Sequence, residues 1–386
     1  MNFCIFNFKM NIYKIKCIFF VILLFITCVT YPIIVYISLI SGPLYTPAEY
    51  WIPEVYTLKD LRAAKITSPQ IIILSGSNSL FGVCSDVLEK KLNYKVLNLA
   101  VHANLPLFFL EEKIKKYARN GDIVVFPFEY SLYSRNEPDM WMVEQFTTWG
   151  VEDMLRQNIS TQVQYFIRAL PAYFIRIMHI FSSLPIRTRN YIKNIFHEKK
   201  NLLTNDKIYS VDGVNIYGEF LCDKETTPKI KEEFNKGISY IADSNLSMHF
   251  LQFADFIKTY STKNDITILF ASPVSIKNSS FDLENEVYKK QIHNLTSAIC
   301  EQSLKFIGDI SVYNFNVNLF YDTPYHLNAE GSIYRSLMLA DDIAESLGVI
   351  NDFDRDERYL KSKREEASYV LQNLRNESLK NSLVPN

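Results

Sequence analysis

The sequence predicts an α/β domain built on a parallel sheet and carried behind one apolar N-terminal helix. Two observations carry that expectation. Residues 17–40 contain no Asp, Glu, Lys or Arg and are dominated by Ile, Leu, Val and Phe, and about 20 apolar residues suffice to cross a bilayer. Farther on, short apolar runs alternate with stretches of helical spacing, as in strands paired in parallel through helical crossovers. Composition agrees: 386 residues with 48% apolar content support a real core, and a net charge of −1 gives no reason to expect nucleic acid.

Residues 1–16 read as a short cytoplasmic segment. Lys9, Lys14 and Lys16 precede the apolar run, whereas Glu49, Glu54 and Asp60 follow it, and basic residues accumulate on the cytoplasmic side. Residues 17–40 are then a single transmembrane helix, with the main domain extracytoplasmic, in the periplasm or outside the cell. A cleaved signal peptide is the rival reading, but the run is too long and no small-x-small site closes it. Residues 41–69, with their prolines and charges, read as a juxtamembrane connector.

The α/β domain is expected over residues 70–347. Gln70 to Leu74 forms a strand that ends in the small polar turn Ser75-Gly76-Ser77. Residues 83–92 have helical spacing, 95–100 read as a second strand, 107–118 as an amphipathic helix and 123–128 as a third strand. Ligands of such sheets gather beyond the carboxyl ends of the strands. Ser77, the Ala103-Asn104 turn and Glu129-Tyr130 all fall at such ends. Residues 131–245 break the alternation as a helical insertion. Its aromatic stretch 163–184, interrupted by Pro171 and carrying Arg168 and Arg176, reads as a lid, as a membrane-contacting segment, or as helices packed on the sheet. The last is the expectation. The pattern resumes with a helix at 246–260, a strand at 266–271 and helices at 283–304 and 331–347. Residues 348–386 are dense in charge and read as a solvated helix.

The six cysteines show no CxxC and no metal-ligand spacing, so no zinc site is expected; Cys84, Cys222 and Cys300 read as buried free thiols, with a disulfide among them as the alternative. The chemistry lies elsewhere, in Tyr321-Asp322-Thr323-Pro324-Tyr325-His326-Leu327-Asn328. A histidine base needs a carboxylate to fix its tautomer and stabilise its imidazolium, and Asp322 precedes His326 by one helical turn. A serine hydroxyl needs a base within hydrogen-bond reach, and Ser77 stands where a strand turns toward a helix. Each residue also has a plainer role open to it: Ser77 as a helix cap, Asp322 as an Asx-turn residue, His326 as packing beside the last helix. Ser75 and Ser79 are rival nucleophiles, and His102 is a second histidine near the same sheet edge.

Taken with their order, these residues make the chain resemble an SGNH/GDSL-type hydrolase, and within that group the membrane-anchored proteins linked to acylation of cell-surface polysaccharides. Ser75-Gly76-Ser77 stands at the family's Gly-Asp-Ser block, with Ser77 at the nucleophile position. Asn98-Leu99-Ala100-Val101-His102-Ala103-Asn104 stands at the second block, with Ala103 in place of the glycine whose amide helps hold an oxyanion. Pro127-Phe128-Glu129-Tyr130 stands at Gly-x-Asn-Asp, and Asp322 to His326 at Asp-x-x-His with one extra residue between.

The resemblance implies a flavodoxin-like three-layer α/β/α fold and a Ser77–His326–Asp322 triad without a metal or other cofactor. It covers residues 70–130 and 246–347 and omits the insertion. The third-block asparagine, normally an oxyanion donor, is replaced, leaving Asn78, Asn104 or Glu129 as side chains at the oxyanion or binding site beside the Ala103 amide. The expected activity is that of a serine acyl-esterase or O-acyltransferase, handling acetyl groups on an envelope glycan. A multispanning membrane protein would supply the acyl group. The alternative is a catalytically degenerate scaffold or binding subunit of a polysaccharide-assembly complex.

Overall fold

The computed structural model describes residues 12–41, 49–67, 69–174, 209–221, 228–235, 240, 242–350 and 354–382. They belong to two compact units, one of residues 1–48 with 140–201 and one of residues 49–139 with 202–386. Residue Arg176, the rest of 175–184 and Cys222 lie outside the described residues.

The larger unit is organised by a five-stranded, all-parallel sheet. Its strands are β1 (Gln70–Ile73), β2 (Lys95–Asn98), β3 (Ile123–Phe126), β4 (Thr267–Ala271) and β6 (Phe306–Ile307), in the order β2-β1-β3-β4-β6. Ile71 is in register with Val96 on one side and Ile123 on the other. The order therefore reverses direction between β1 and β3, and the crevice for a ligand opens at such a reversal. A separate parallel pair joins β5 (Ser275–Ile276) to β7 (Asn314–Phe315).

Helices cover both faces, which is why the strands read as unbroken apolar runs rather than alternating ones. Ile71, Ile73, Val125 and Leu269 pack against Leu88 of α4 (Ser85–Leu92) and Leu339 and Ile343 of α13 (Ala329–Ser346). One residue along the strands, Phe126 and Phe270 turn to the other face. There they meet Phe250 and Phe253 of α11 (Met248–Asn264), with Phe126 and Phe253 edge to face at 5.5 Å. The helix expected at 283–304 is α12, Glu286–Glu301, started by the Asn285 side chain accepting from the Val287 amide.

Three expectations are corrected. Residues 51–63 are not a connector but a helix, α2 (Trp51–Ala63), which buries Ile52, Val55, Tyr56 and Lys59. Pro53 misled because it lies in the first turn, where a missing N–H breaks no helical bond. The insertion is not one body but is divided between the two units. Its helices α7 (Met140–Phe146), α8 (Val151–Leu155) and α9 (residues 159–174) belong to the smaller unit, while residues 209–221, 228–235 and 240–245 belong to the sheet unit. The charged tail is not simply solvated either: α14 (Glu357–Ser382) packs along α13 and buries Ala367 and Leu371 among Ile333, Tyr334 and Leu337. Ala367→Asp would bury an unpaired carboxylate there, and thermal unfolding should report a loss of about 2–4 kcal/mol. An unchanged melting temperature would mean that α14 does not dock.

In the smaller unit, α1 (Ile12–Ser41) contains one stretch, Lys16–Ile37, long and apolar enough to cross a membrane, with mean hydropathy 2.7.

Candidate active site

At the carboxyl end of β1 the chain turns into α3 (Ser77–Gly82), and the turn sorts its three serines. Ser75 is buried and donates to the Pro127 carbonyl at 2.7 Å, while accepting from the Asn78 side chain. Ser79 is fully buried beside Asn78. Ser77 alone of the three keeps partial exposure, at the first position of the helix, where its amide has no intrahelical acceptor. Gly76 makes this geometry possible. A β-carbon there would lie 2.4 Å from Ala103 Cα and 2.7 Å from Ala103 N, so the second loop's backbone rests directly on the serine turn. Among the described residues neither the Ser77 nor the Ala103 amide donates to a protein acceptor.

Glu129, at the end of β3, is buried beneath this turn and acts as an acceptor. Its two oxygens take the Gly76 amide at 3.2 Å and the Asn78 amide at 3.0 Å, with Ser75 Oγ 3.4 Å away. With two backbone amides donating to it, Glu129 braces the loop from below. Asn78 is likewise spent: it is fully buried, and its amide donates to Ser75 Oγ at 2.7 Å and to the Pro127 carbonyl at 2.9 Å. The side chains expected to replace the missing donor therefore reduce to Asn104, which is half-buried beside Ala103. His102 is turned to local structure. Its Nδ1 accepts the Asn104 amide at 3.1 Å and its Nε2 faces Glu49 at 3.6 Å.

The Ala103 loop is held from behind by Arg135, which donates to the carbonyls of Ala103 and Leu105 and pairs with Glu137 at 2.8 Å. Arg335, fully buried on α13, donates to the Asn78 carbonyl at 2.9 Å and the Ser272 carbonyl at 3.2 Å. Burial pulls its pKa down to about 10, with Tyr313, Glu129 and Tyr130 opposing the shift, so at neutral pH it remains the cation that balances Glu129. A second buried network lies behind Asn98. Lys59 donates to the Asn98 and Gly218 carbonyls at 2.7 Å each, and Glu219 accepts from Ser85 and Asn98. Burial drives the Lys59 pKa down to about 7 and that of Glu219 up. Neither group reaches solvent, so the network ties α2, β2 and α4 together.

Asp322 and His326 meet as expected, with Oδ1 of the acid 2.8 Å from Nδ1 of the ring. The segment between them is a tight turn rather than helix: the Thr323 hydroxyl and carbonyl both accept the His326 amide, at 3.2 and 3.3 Å. The His326 ring stacks on Phe81 at 4.0 Å and 7°. Phe81 is one turn after Ser77 on α3, and side chains four apart share a helix face. His326 therefore packs on the helix that Ser77 begins, while among the described residues no hydrogen bond joins the Ser77 hydroxyl to the ring.

Nothing in the sequence pointed to Tyr209. It lies in the insertion, 113 residues before Asp322, with no motif around it, yet its hydroxyl donates to Asp322 Oδ2 at 2.6 Å and lies 3.3 Å from His326 Nδ1. Its ring packs with Trp51, Phe81 and Phe220. Burial pushes the Asp322 pKa up, but the hydrogen bond and charge of His326, joined by the Tyr209 hydroxyl, outweigh it and hold the carboxyl below its ordinary value. A carboxyl depressed by folding contributes stability above its unfolded pKa and loses it as pH falls through the folded one. In Tyr209→Phe the Asp322 carboxyl should therefore titrate at higher pH than in the wild type, as followed by NMR. An unaltered titration would mean that the hydroxyl is not bound there.

Of the described cysteines, Cys17, Cys28 and Cys300 are exposed and free, and Cys84 is buried with its thiol pushed up to about 12 by that burial. The thiolate that would make it reactive is suppressed at neutral pH. In comparison with known proteins, the chain matches no family model and no curated protein.

Proposed function

We propose that the protein is a membrane-anchored serine acyl-esterase or O-acyltransferase of SGNH type. The observation that carries this reading is the Asp322–His326 pair stacked on the helix that begins with Ser77. The all-parallel strand order, with β1 inside the sheet and the reversal between β1 and β3, supports the flavodoxin-like arrangement expected of that fold.

Asp322 accepts from Nδ1–H and leaves Nε2 of His326 as the base. Nε2 takes the Ser77 proton as Oγ attacks the acyl carbonyl, and the Ser77 and Ala103 amides receive the oxyanion. His326 returns the proton to the departing alkoxide, leaving an acyl-Ser77. A water or a sugar hydroxyl, deprotonated by His326, then attacks the ester carbon, and Ser77 leaves with that proton. Trp51, Tyr209 and Tyr321 keep parts of their rings exposed near His326, amphipathic surfaces that suit the apolar face of a glycan ring.

In this reading α1 spans the membrane with its N-terminus in the cytoplasm and the sheet domain outside, following the lysines that precede it. The acyl group, acetyl in the simplest case, comes from a multispanning partner, because one helix forms no channel. The full chain should hydrolyse an activated acetyl ester, and His326→Ala should abolish turnover. Wild-type turnover no higher than that of His326→Ala would sink the proposal.

A second reading, a catalytically silent subunit of a polysaccharide-assembly complex, is favoured by one observation. Glu129 places an acceptor where the resembled family carries a donor. It predicts that Ser77→Ala and His326→Ala leave the cellular phenotype unchanged.

A further inference from the structure

An apolar stripe in the smaller unit is largely left uncovered by the fold and is not used by the proposed chemistry. Helix α9 buries Tyr165, Ala169 and Tyr173, yet leaves Ile159, Val163, Ile167 and Phe174 at 77, 46, 58 and 55% exposure. At 3.6 residues per turn these four fall within an arc of about 80° and extend along about 22 Å of helix. Exposed Arg168 lies outside that arc, toward the opposite side.

What covers the stripe follows from the helix that α9 accompanies. The Tyr31 hydroxyl of α1 donates to the Leu170 carbonyl. The Tyr31 ring meets Phe174 edge-on at 6.1 Å, and the Tyr36 ring meets Phe166 at 6.2 Å. The pairing is antiparallel, since Phe166 sits at Tyr36 and Phe174 at Tyr31. Tyr31 lies six residues inside the Ile37 end of the apolar stretch, about 9 Å along the axis. If α1 crosses a bilayer, Phe174 is carried to a level within the hydrocarbon and Ile159 remains near the headgroups. Ile33 and Ile34 of α1 are exposed at the same level.

We propose that α9 enters the membrane beside α1 and lays Ile167 and Phe174 against phospholipid acyl chains, with Val163 at the headgroup level, so that the protein is held by two helices instead of one. The proposal rests on reading α1 as a membrane span. Lipid fits this surface because the stripe is contiguous with an apolar helix that itself exposes Phe19, Phe20, Phe25 and Ile33, whereas a water-facing stripe of this size would be unfavourable.

The test places the photo-crosslinker benzoylphenylalanine, one site at a time, at Val163, Ile167, Arg168 and, in α1, Phe25. The full chain is reconstituted in phosphatidylcholine/phosphatidylglycerol vesicles and irradiated, and peptide mass spectrometry reads phospholipid adducts. Adducts at Ile167 comparable to those at Phe25, fewer at Val163 and far fewer at Arg168, are expected. Adducts at Phe25 but none at Val163 or Ile167 would overturn the inference while leaving α1 as a span. No adduct at any site would overturn both, and crosslinking of Ile167 to a second copy of the chain would assign the stripe to a protein interface instead.

Discussion

Ser77→Ala should reduce acyl-ester turnover by about 10⁶-fold, to the level left by ester binding and the loop amides alone. The size of the effect follows from what the turn spares. Ser75 and Ser79 are buried and hydrogen-bonded within the loop, so no neighbouring hydroxyl can take over the attack. Folding should be unaffected, because no side-chain hydrogen bond of Ser77 is lost. Asp322→Asn should cost about 10⁴-fold, since the amide can hold the wrong tautomer of His326 and does not balance its charge. Steady-state kinetics on the purified full chain checks both. A Ser77→Ala variant within tenfold of wild type would mean that the chemistry is elsewhere.

Gly76→Ala should disable the protein by a different route. Its β-carbon would sit 2.4 Å from both the Ala103 Cα and Glu129 Oε1. Ala103 cannot retreat easily because Arg135 grips its carbonyl, and Glu129 cannot because its oxygens hold the Gly76 and Asn78 amides. Relieving the overlap means parting the two loops, at a cost of about 3 kcal/mol in stability, and moving the Ala103 amide away from Ser77. Losing one oxyanion donor costs about 10²–10³-fold in rate. Denaturant unfolding and kcat together test this: a variant with normal stability and normal kcat would contradict the close approach.

Much of the sheet was legible because strands buried on both faces must be apolar throughout, and Ile71-Ile72-Ile73 and Ile123 to Phe126 have few other uses. The short β6 carried no such signal, since Phe306–Ile307 is too brief to show a period. Helix α2 was obscured by Pro53 and by a buried lysine, Lys59, whose burial depends on carbonyls of Asn98 and Gly218 far along the chain. At the candidate site, Asp322 and His326 are close in sequence, and their pairing could be read directly. Tyr209 could not be, because its role exists only through a long-range contact. Glu129 and Asn78 were legible as residues of the site but not in their roles: only the loop geometry turns them into its internal braces.

If Ser77 is a nucleophile activated by His326 and Asp322, covalent capture will find it there. The full chain, treated with a fluorophosphonate and digested, should carry the phosphonyl group on Ser77, with the adduct absent in Ser77→Ala and strongly reduced in His326→Ala. Labelling that is absent from the wild type, or that persists at the same rate in His326→Ala, would contradict the account.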